Sequence, residues 1–125
     1  MRNDALVAAV KLGGNGQFPL IQQMAADDPD PQVREGALRC LTLLPEKKPE
    51  ILVVMIHALA DQSRDVQAAA AQLLAKGANQ SFGFDPGRSP AERAGAVARW
   101  QQWFEQNKER LHWSEEKRRF LLPGE

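Results

Sequence analysis

Small and apolar residues recur at helical spacing in two segments of the chain, and the second segment repeats the first. The segments cover residues 28–44 and 61–77, and their leading aspartate and inward-facing valine, alanine and leucine recur in the same order and at the same spacing. Residues three and four positions apart share one face of an α-helix. The predicted buried faces are therefore Val33, Gly36, Ala37, Cys40, Leu41 and Leu44 in the first, and Val66, Ala69, Ala70, Leu73 and Leu74 in the second.

Another amphipathic stretch precedes each of these helices, at residues 18–27 and 50–61. Asp and Ser side chains in the turns between them accept hydrogen bonds from the free N–H groups that begin a helix, and Pro31 fits a first helical turn. Each unit is thus predicted to be two helices joined by a tight turn. Successive second helices are predicted to close at Pro45, at Gly77 and at the Gly13–Gly14 pair.

A divergent third copy follows. Ser89, Pro90 and Glu92 form a helix-start pattern with a capping box, and Arg93 and Trp100 then keep the mutual spacing that Arg34 and Leu41 have in the first copy. This segment is predicted to be a third second helix, with tryptophan in place of the core leucine. The stretch before it is too short and too rich in glycine for a full first helix. The uncovered surface is predicted to be filled by Phe82, Phe84, Trp100 and Phe104.

The repeats predict an all-α fold, a short α-solenoid of about three stacked antiparallel helix pairs in one domain, 1–125. The units are a partial one at 5–17, repeats at 18–44 and 50–77, a truncated unit at 85–111 and a tail at 112–125. The pattern predicts that the chain starts mid-repeat, so Leu6, Val7 and Val10 are expected to be exposed and to favour self-association through the array ends. The tail is predicted to form a short solvated helix, with Phe120, Leu121 and Leu122 folding back on the array.

The repeated pattern resembles a HEAT repeat, in the short variety of the phycobilisome-lyase-type HEAT-like proteins. The resembling features are the turn aspartate, the Val33-Arg34 pair, the small pair Gly36-Ala37 and Leu41, and the resemblance covers roughly residues 5–107. In that family the turn aspartate and the helix arginine form a ladder between neighbouring repeats. The second unit departs from the pattern, because Gln67 stands where the first has Arg34, and the ladder is therefore open to question there.

Charge and composition narrow the function classes. Sixteen basic residues balance sixteen acidic ones, and this neutrality disfavours a domain that grips a nucleic acid. The longest apolar run, residues 51–56, is too short to cross a bilayer, and the N-terminus lacks the features of a signal peptide. We therefore expect no membrane partner, and a cytoplasmic location if the chain is complete as given.

The sequence offers no catalytic constellation. His57, His112 and Cys40 are not spaced as metal ligands, and Cys40 falls on an inward helix face, where it is expected to be inert packing. The segment "GGNGQ" lacks the Gly-Lys-Ser/Thr ending of a phosphate-binding loop and is expected to link two helices. No catalytic, metal or cofactor site is predicted, and the chain is expected not to be an enzyme.

The leading functional hypothesis is a non-catalytic protein-interaction or scaffold module, part of a larger HEAT-repeat protein, that binds a protein partner through its second helices. Two alternatives stay open: nucleic-acid backbone binding through Arg34, Arg39, Arg64, Arg93 and Arg99, and a non-catalytic subunit of a lyase-like enzyme. For the candidate contact residues, the competing interpretation is that they are no more than solvated surface. They are Glu35, Leu38, Arg39, Thr42, Gln72, Lys76 and Arg99.

Overall fold

The computed structural model describes residues 13–125, and within that range the chain forms helices followed by a β-hairpin. A 3-10 turn at Gly14–Gln17 leads into the first helix, and another at Leu41–Leu43 extends the second. The predicted all-α helical repeat is confirmed. The helices are α1 (Phe18–Asp27), α2 (Pro31–Cys40), α3 (Glu50–Ala58), α4 (Arg64–Ala78) and α5 (Pro90–Asn107), and the strands are β1 (His112–Ser114) and β2 (Arg119–Leu121).

Two helix pairs, α1–α2 and α3–α4, stack on one another. The first helices α1 and α3 pack together, and so do the second helices α2 and α4. Short connections within each pair make its two helices antiparallel neighbours. The interior is apolar, as the repeated pattern requires, and its most completely buried side chains include Ile21, Leu41, Leu52, Leu59, Val66 and Leu74.

The helices begin where the turn chemistry predicts. The Asp30 side chain accepts a hydrogen bond from the Gln32 N–H at 2.9 Å, and Ser63 accepts from the Val66 N–H at 3.4 Å. At the start of α5, the Ser89 hydroxyl accepts from the Glu92 N–H at 3.2 Å and donates to its carboxylate at 3.0 Å. These side chains satisfy N–H groups that have no partner inside the helix.

One predicted helix end is wrong. The sequence predicts that Gly77 closes α4, but the helix continues through it to Ala78 and ends at Asn79, whose φ of 55° is left-handed. Asparagine tolerates this conformation better than most residues, so it can end the helix without a glycine. Gly77 lies next to Leu52 of α3, and the Leu52 Cδ2 atom is 4.0 Å from the position that an added Cβ would take.

Helix α5 packs on α3, a first helix, although its sequence aligns with the second helices. Residues 79–89 form a loop in place of the first helix of the third unit. The face of α3 that such a helix would have covered is therefore available, and α5 occupies it. The Trp100 indole on α5 is fully buried and donates to the Ser81 carbonyl at 3.1 Å, which fastens the loop to the helix.

The aromatic residues that the sequence predicts to cluster here lie between α5 and the 79–89 loop or in the adjoining core. Phe82 meets Trp100 edge-on, with ring centroids 4.8 Å apart, and Trp100 meets Trp103 in the same way at 5.5 Å. Phe84 and Phe104 are buried in the same core. The prediction omitted Trp103, whose ring centroid lies 6.2 Å from that of Phe82.

The predicted tail helix is wrong, because this segment is a β-hairpin. Strands β1 and β2 pair antiparallel, Trp113 lies opposite Phe120, and the centroids of their rings are 5.2 Å apart. Arg118 adopts a positive φ of 58° just before β2, which suits a tight turn and interrupts a helix. The predicted fold-back does occur: β2 packs on α4, and Phe120 and Leu121 are buried.

The predicted partial unit at 5–17 lies outside the described residues except for 13–17, and Leu6, Val7 and Val10 lie outside them entirely. The segment 13–17 links to the loop between the two helix pairs through Asn15. Its amide donates to the Glu46 carbonyl at 3.0 Å and accepts from the Glu46 N–H at 2.9 Å. Between residues 13 and 125, no helix is long and apolar enough to cross a membrane.

Candidate interaction surface

A row of polar side chains joins the units along the edge formed by their tight turns. Arg34 of α2 donates to both carboxylate oxygens of Asp61, at 2.9 and 3.0 Å, and to the Asp28 carbonyl at 2.7 Å. Both side chains of this ion pair are largely buried, with 13% and 9% of their surface exposed. The hydrogen bond to Asp61 raises the pKa of Arg34 above its ordinary value. One side chain thereby holds the turns of two successive units.

The row of polar contacts continues through Gln67, the position at which the sequence departs from the aspartate–arginine ladder of the family. Gln67 donates to the Asp61 carbonyl at 2.6 Å and accepts from the Arg93 guanidinium at 3.1 Å. Arg93 also donates to the Arg88 carbonyl at 3.1 Å. Gln67 thus binds the turn carbonyl of its own unit as Arg34 does, and it contacts the following unit through its amide oxygen. We call Arg34, Asp61, Gln67 and Arg93 the turn ladder.

Most of the arginines in the predicted nucleic-acid stripe are engaged within the protein. Arg34 and Arg93 belong to the turn ladder, and Arg99 donates to the Phe82 carbonyl at 2.9 and 3.2 Å. Arg39 forms an exposed ion pair with Glu35 at 3.8 Å. In the part of the chain that the structure describes, Arg64 is the member of the stripe with no polar partner.

Five of the predicted contact residues lie on the neighbouring helices α2 and α4 and the turn after α2. Arg39 and Gln72 hold the same place in their respective repeats, so they occupy equivalent positions on the two stacked helices. Glu35 is half-buried, and the others are exposed. We call this set the second-helix face. Its members are Glu35, Arg39, Thr42, Gln72 and Lys76.

The other two predicted contact residues lie elsewhere. Leu38 is predicted to point away from the core, but it is fully buried, because α2 packs against both α1 and α4 and so needs a wider apolar surface. Arg99 lies on α5, which packs on α3, and its guanidinium holds the loop carbonyl of Phe82. The prediction also missed Leu43, which is 44% exposed at the position equivalent to Lys76.

A small apolar pocket opens beside the second-helix face. It has a volume of about 190 Å³ and lies between the end of α2, helices α3 and α4, and the hairpin. Its lining brings together residues far apart in the sequence. We call it the Trp113 pocket, and it is lined by Leu41, Thr42, Lys47, Ile51, Leu52, Met55, Leu73, Lys76, Gly77, Trp113, Arg118 and Phe120.

The charged residues that line this pocket are all cations. Lys47 and Arg118 lie over the Trp113 ring, 5.7 and 5.5 Å from its centroid, which is a cation–π arrangement. Arg118 is paired with Glu115 at 2.8 Å, and the Lys47 ammonium donates to the Leu44 carbonyl. Burial, together with the nearby Arg118 charge, lowers the pKa of Lys47 below its ordinary value. Within the described residues, the Lys76 ammonium has no polar partner.

The other acidic, histidine and cysteine side chains in the described part of the chain do not form a catalytic or metal site. A more open cleft of about 430 Å³ runs along the turn edge and is lined by Asp27, Asp28, Asp61 and His57, but Asp61 is held in the turn ladder. Burial raises the pKa of the Cys40 thiol, so this residue is a neutral packing group. Across residues 13–125, no cluster of histidine, cysteine and acidic side chains is arranged to hold a metal ion.

Comparison with known proteins gives one match. A family model described as HEAT repeats matches residues 5–81, more than half of the chain. Searches of curated proteins and of solved structures found no match.

Proposed function

The chain belongs to the HEAT-repeat family, and on that premise we propose that it is a non-catalytic module that binds a partner protein through its second-helix face. HEAT repeats generally act in protein interaction or scaffolding, and stacked helices present extended surfaces for that purpose. The observation that carries the proposal is the alignment of Arg39 and Gln72. These equivalent exposed positions are on two helices in direct contact, so their polar side chains are available to one partner.

The packing and hydrogen bonding of the framework support this proposal. The turn ladder joins successive units by hydrogen bonds, and α2 and α4 pack directly against each other, each with buried small residues such as Ala37 and Ala70. A surface that is ordered before binding loses less conformational entropy when a partner docks. The second-helix face is therefore suited to recognition by preformed contacts.

The two alternative functions have less support. Nucleic-acid binding would need free cations, whereas the net charge is zero and most arginines of the stripe already have acceptors. A role as a subunit of a lyase-like enzyme rests on similarity of fold, which does not determine function.

Position-specific photo-crosslinking tests the proposed function. p-Benzoylphenylalanine is placed at Gln72 on the second-helix face or at Gln22, an exposed glutamine on α1, and the protein is irradiated in cells of its native source. We expect a discrete adduct from Gln72 that is lost when Arg39→Glu is added, with none from Gln22. Equal adducts from the two positions, or an adduct insensitive to Arg39→Glu in a folded protein, would contradict the proposal.

A further inference from the structure

We infer that the Trp113 pocket receives one apolar anchor side chain from a partner segment whose flanking residues are acidic. This inference rests on the proposed function, because it names the chemistry of the protein partner. The pocket and the second-helix face share Thr42 and Lys76, so a segment lying on the face would pass over the mouth of the pocket.

The size of the pocket favours a single side chain over a separate small molecule. Sites for small ligands usually enclose about 300–1,000 Å³, and this one encloses about 190 Å³. Its walls are Leu41, Ile51, Leu52, Met55, Leu73 and Phe120. Protein interfaces concentrate their binding energy where one large side chain fills such a desolvated pocket.

The charges around the pocket specify what should flank the anchor. Lys47, Lys76 and Arg118 all line it, and no acidic residue is among its lining residues. Arg118 has a partner in Glu115, whereas Lys76 has none in the described part of the chain. This local excess of positive charge stands out because the chain as a whole is neutral. Acidic residues beside an apolar anchor would bring carboxylates next to these cations.

The state of Lys47 is consistent with such a partner. Its pKa is lowered by burial and by the neighbouring Arg118 charge, and Glu115 acts in the opposite direction. A carboxylate bound nearby would favour the charged form and raise that pKa.

Synthetic peptides test the inference directly. The probe is a fluorescein-labelled nonapeptide with a central phenylalanine flanked by glutamates. One control peptide has lysines in place of the glutamates, and another has alanine in place of the phenylalanine. Anisotropy should show binding of the probe, with the affinity of each control at least about tenfold lower. On binding, the indole N–H resonance of Trp113 should shift, while that of Trp100, fixed on Ser81, should stay in place.

Matched protein variants then locate the site. Lys76→Glu should weaken probe binding about tenfold or more, whereas Arg64→Glu makes the same charge change near the opposite end of α4 and should leave it unchanged. Both residues are exposed, and circular dichroism verifies that both variants fold. No binding of the probe, equal binding of all three peptides, or equal effects of the two variants would overturn the inference. Tighter binding of decanoate than of the probe would also overturn it.

The two proposals can fail separately. If the peptides do not bind while Gln72 still gives its specific crosslink, the inference about the pocket is wrong and the proposed function stands. If the crosslink is also absent, the second-helix face is not an interaction surface.

Discussion

Gln67 shows how a single residue can preserve a contact while its chemistry changes. Arg34 in the preceding unit pairs with a carboxylate, whereas Gln67 accepts from Arg93, a second cation of the turn ladder. Glutamine has both a donor and an acceptor in its side chain, so it can bind the Asp61 carbonyl and Arg93 at once. The family pattern alone would suggest that arginine belongs here, but the Arg93 guanidinium beside Gln67 disfavours a second positive charge.

Gln67→Arg is therefore expected to destabilise the protein, although it restores the residue of the first unit. Two guanidinium groups would meet in a largely buried site, and like charges about 4 Å apart repel by roughly 4 kcal/mol at an effective dielectric constant of 20. We expect urea denaturation to show a loss of about 2–4 kcal/mol in the free energy of unfolding. Gln72→Arg on the exposed side of the same helix should change it by less than about 0.5 kcal/mol. Equal effects would show that Gln67 is not a constrained position.

Two glycines of opposite backbone conformation provide another test at this scale. Gly77 lies inside α4 with room for a methyl group, so Gly77→Ala should raise the free energy of unfolding by about 0.5–1 kcal/mol. Gly83 has a φ of +75°, and Gly83→Ala should lower it by about 1 kcal/mol or more. Thermal unfolding of both variants measures the difference. A loss of stability in Gly77→Ala would mean that Leu52 cannot accommodate the methyl group.

At the scale of elements, α5 begins at a side-chain cap formed by Ser89. Ser89→Ala removes the acceptor for the Glu92 N–H and should cost about 1 kcal/mol in the free energy of unfolding. Ser89→Asp retains an acceptor at the same position and should cost less. Urea denaturation compares the two variants, and an equal loss in both would argue against the cap as the cause.

The extent to which these elements could be predicted depends on how local their causes are. The starts of α2, α4 and α5 follow from side chains in the first turn of each helix and just before it, and the sequence predicts them. Helix α5 packs on α3 because the third unit has no first helix to cover that face, and this cause is not local to α5. The hairpin of the tail packs its apolar residues on α4. In the sequence, the tail is separated from α4 by the whole of α5, so this contact is long-range.

The candidate site divides in the same way. Periodicity places Arg39 and Gln72 on equivalent outward positions, and the structure brings their helices together. The Trp113 pocket could not be foreseen, since it needs residues of α3, α4 and the hairpin to converge. The prediction for Leu38 is wrong because periodicity within one helix does not reveal how many neighbours that helix has.

At the scale of the whole molecule, the hairpin covers part of the apolar core. Removal of residues 111–125 takes away the buried side chains Leu111, Phe120 and Leu121 and uncovers α4. We expect the shortened chain to unfold at lower urea concentration and to self-associate, because a large exposed apolar patch favours association. Light scattering across a range of concentrations measures the mass of both chains. Unchanged mass and stability after the truncation would mean that the hairpin is not part of the core.

The position of α5 also limits how copies of this chain could assemble. Head-to-tail growth of a solenoid requires a free stacking surface at each end, and α5 already occupies the face of α3 on which a further first helix would stack. Contact between copies through the opposite end joins two identical surfaces. Such an isologous contact has twofold symmetry and is satisfied by one pair. Copies that stack only through this opposite end would therefore form a closed pair.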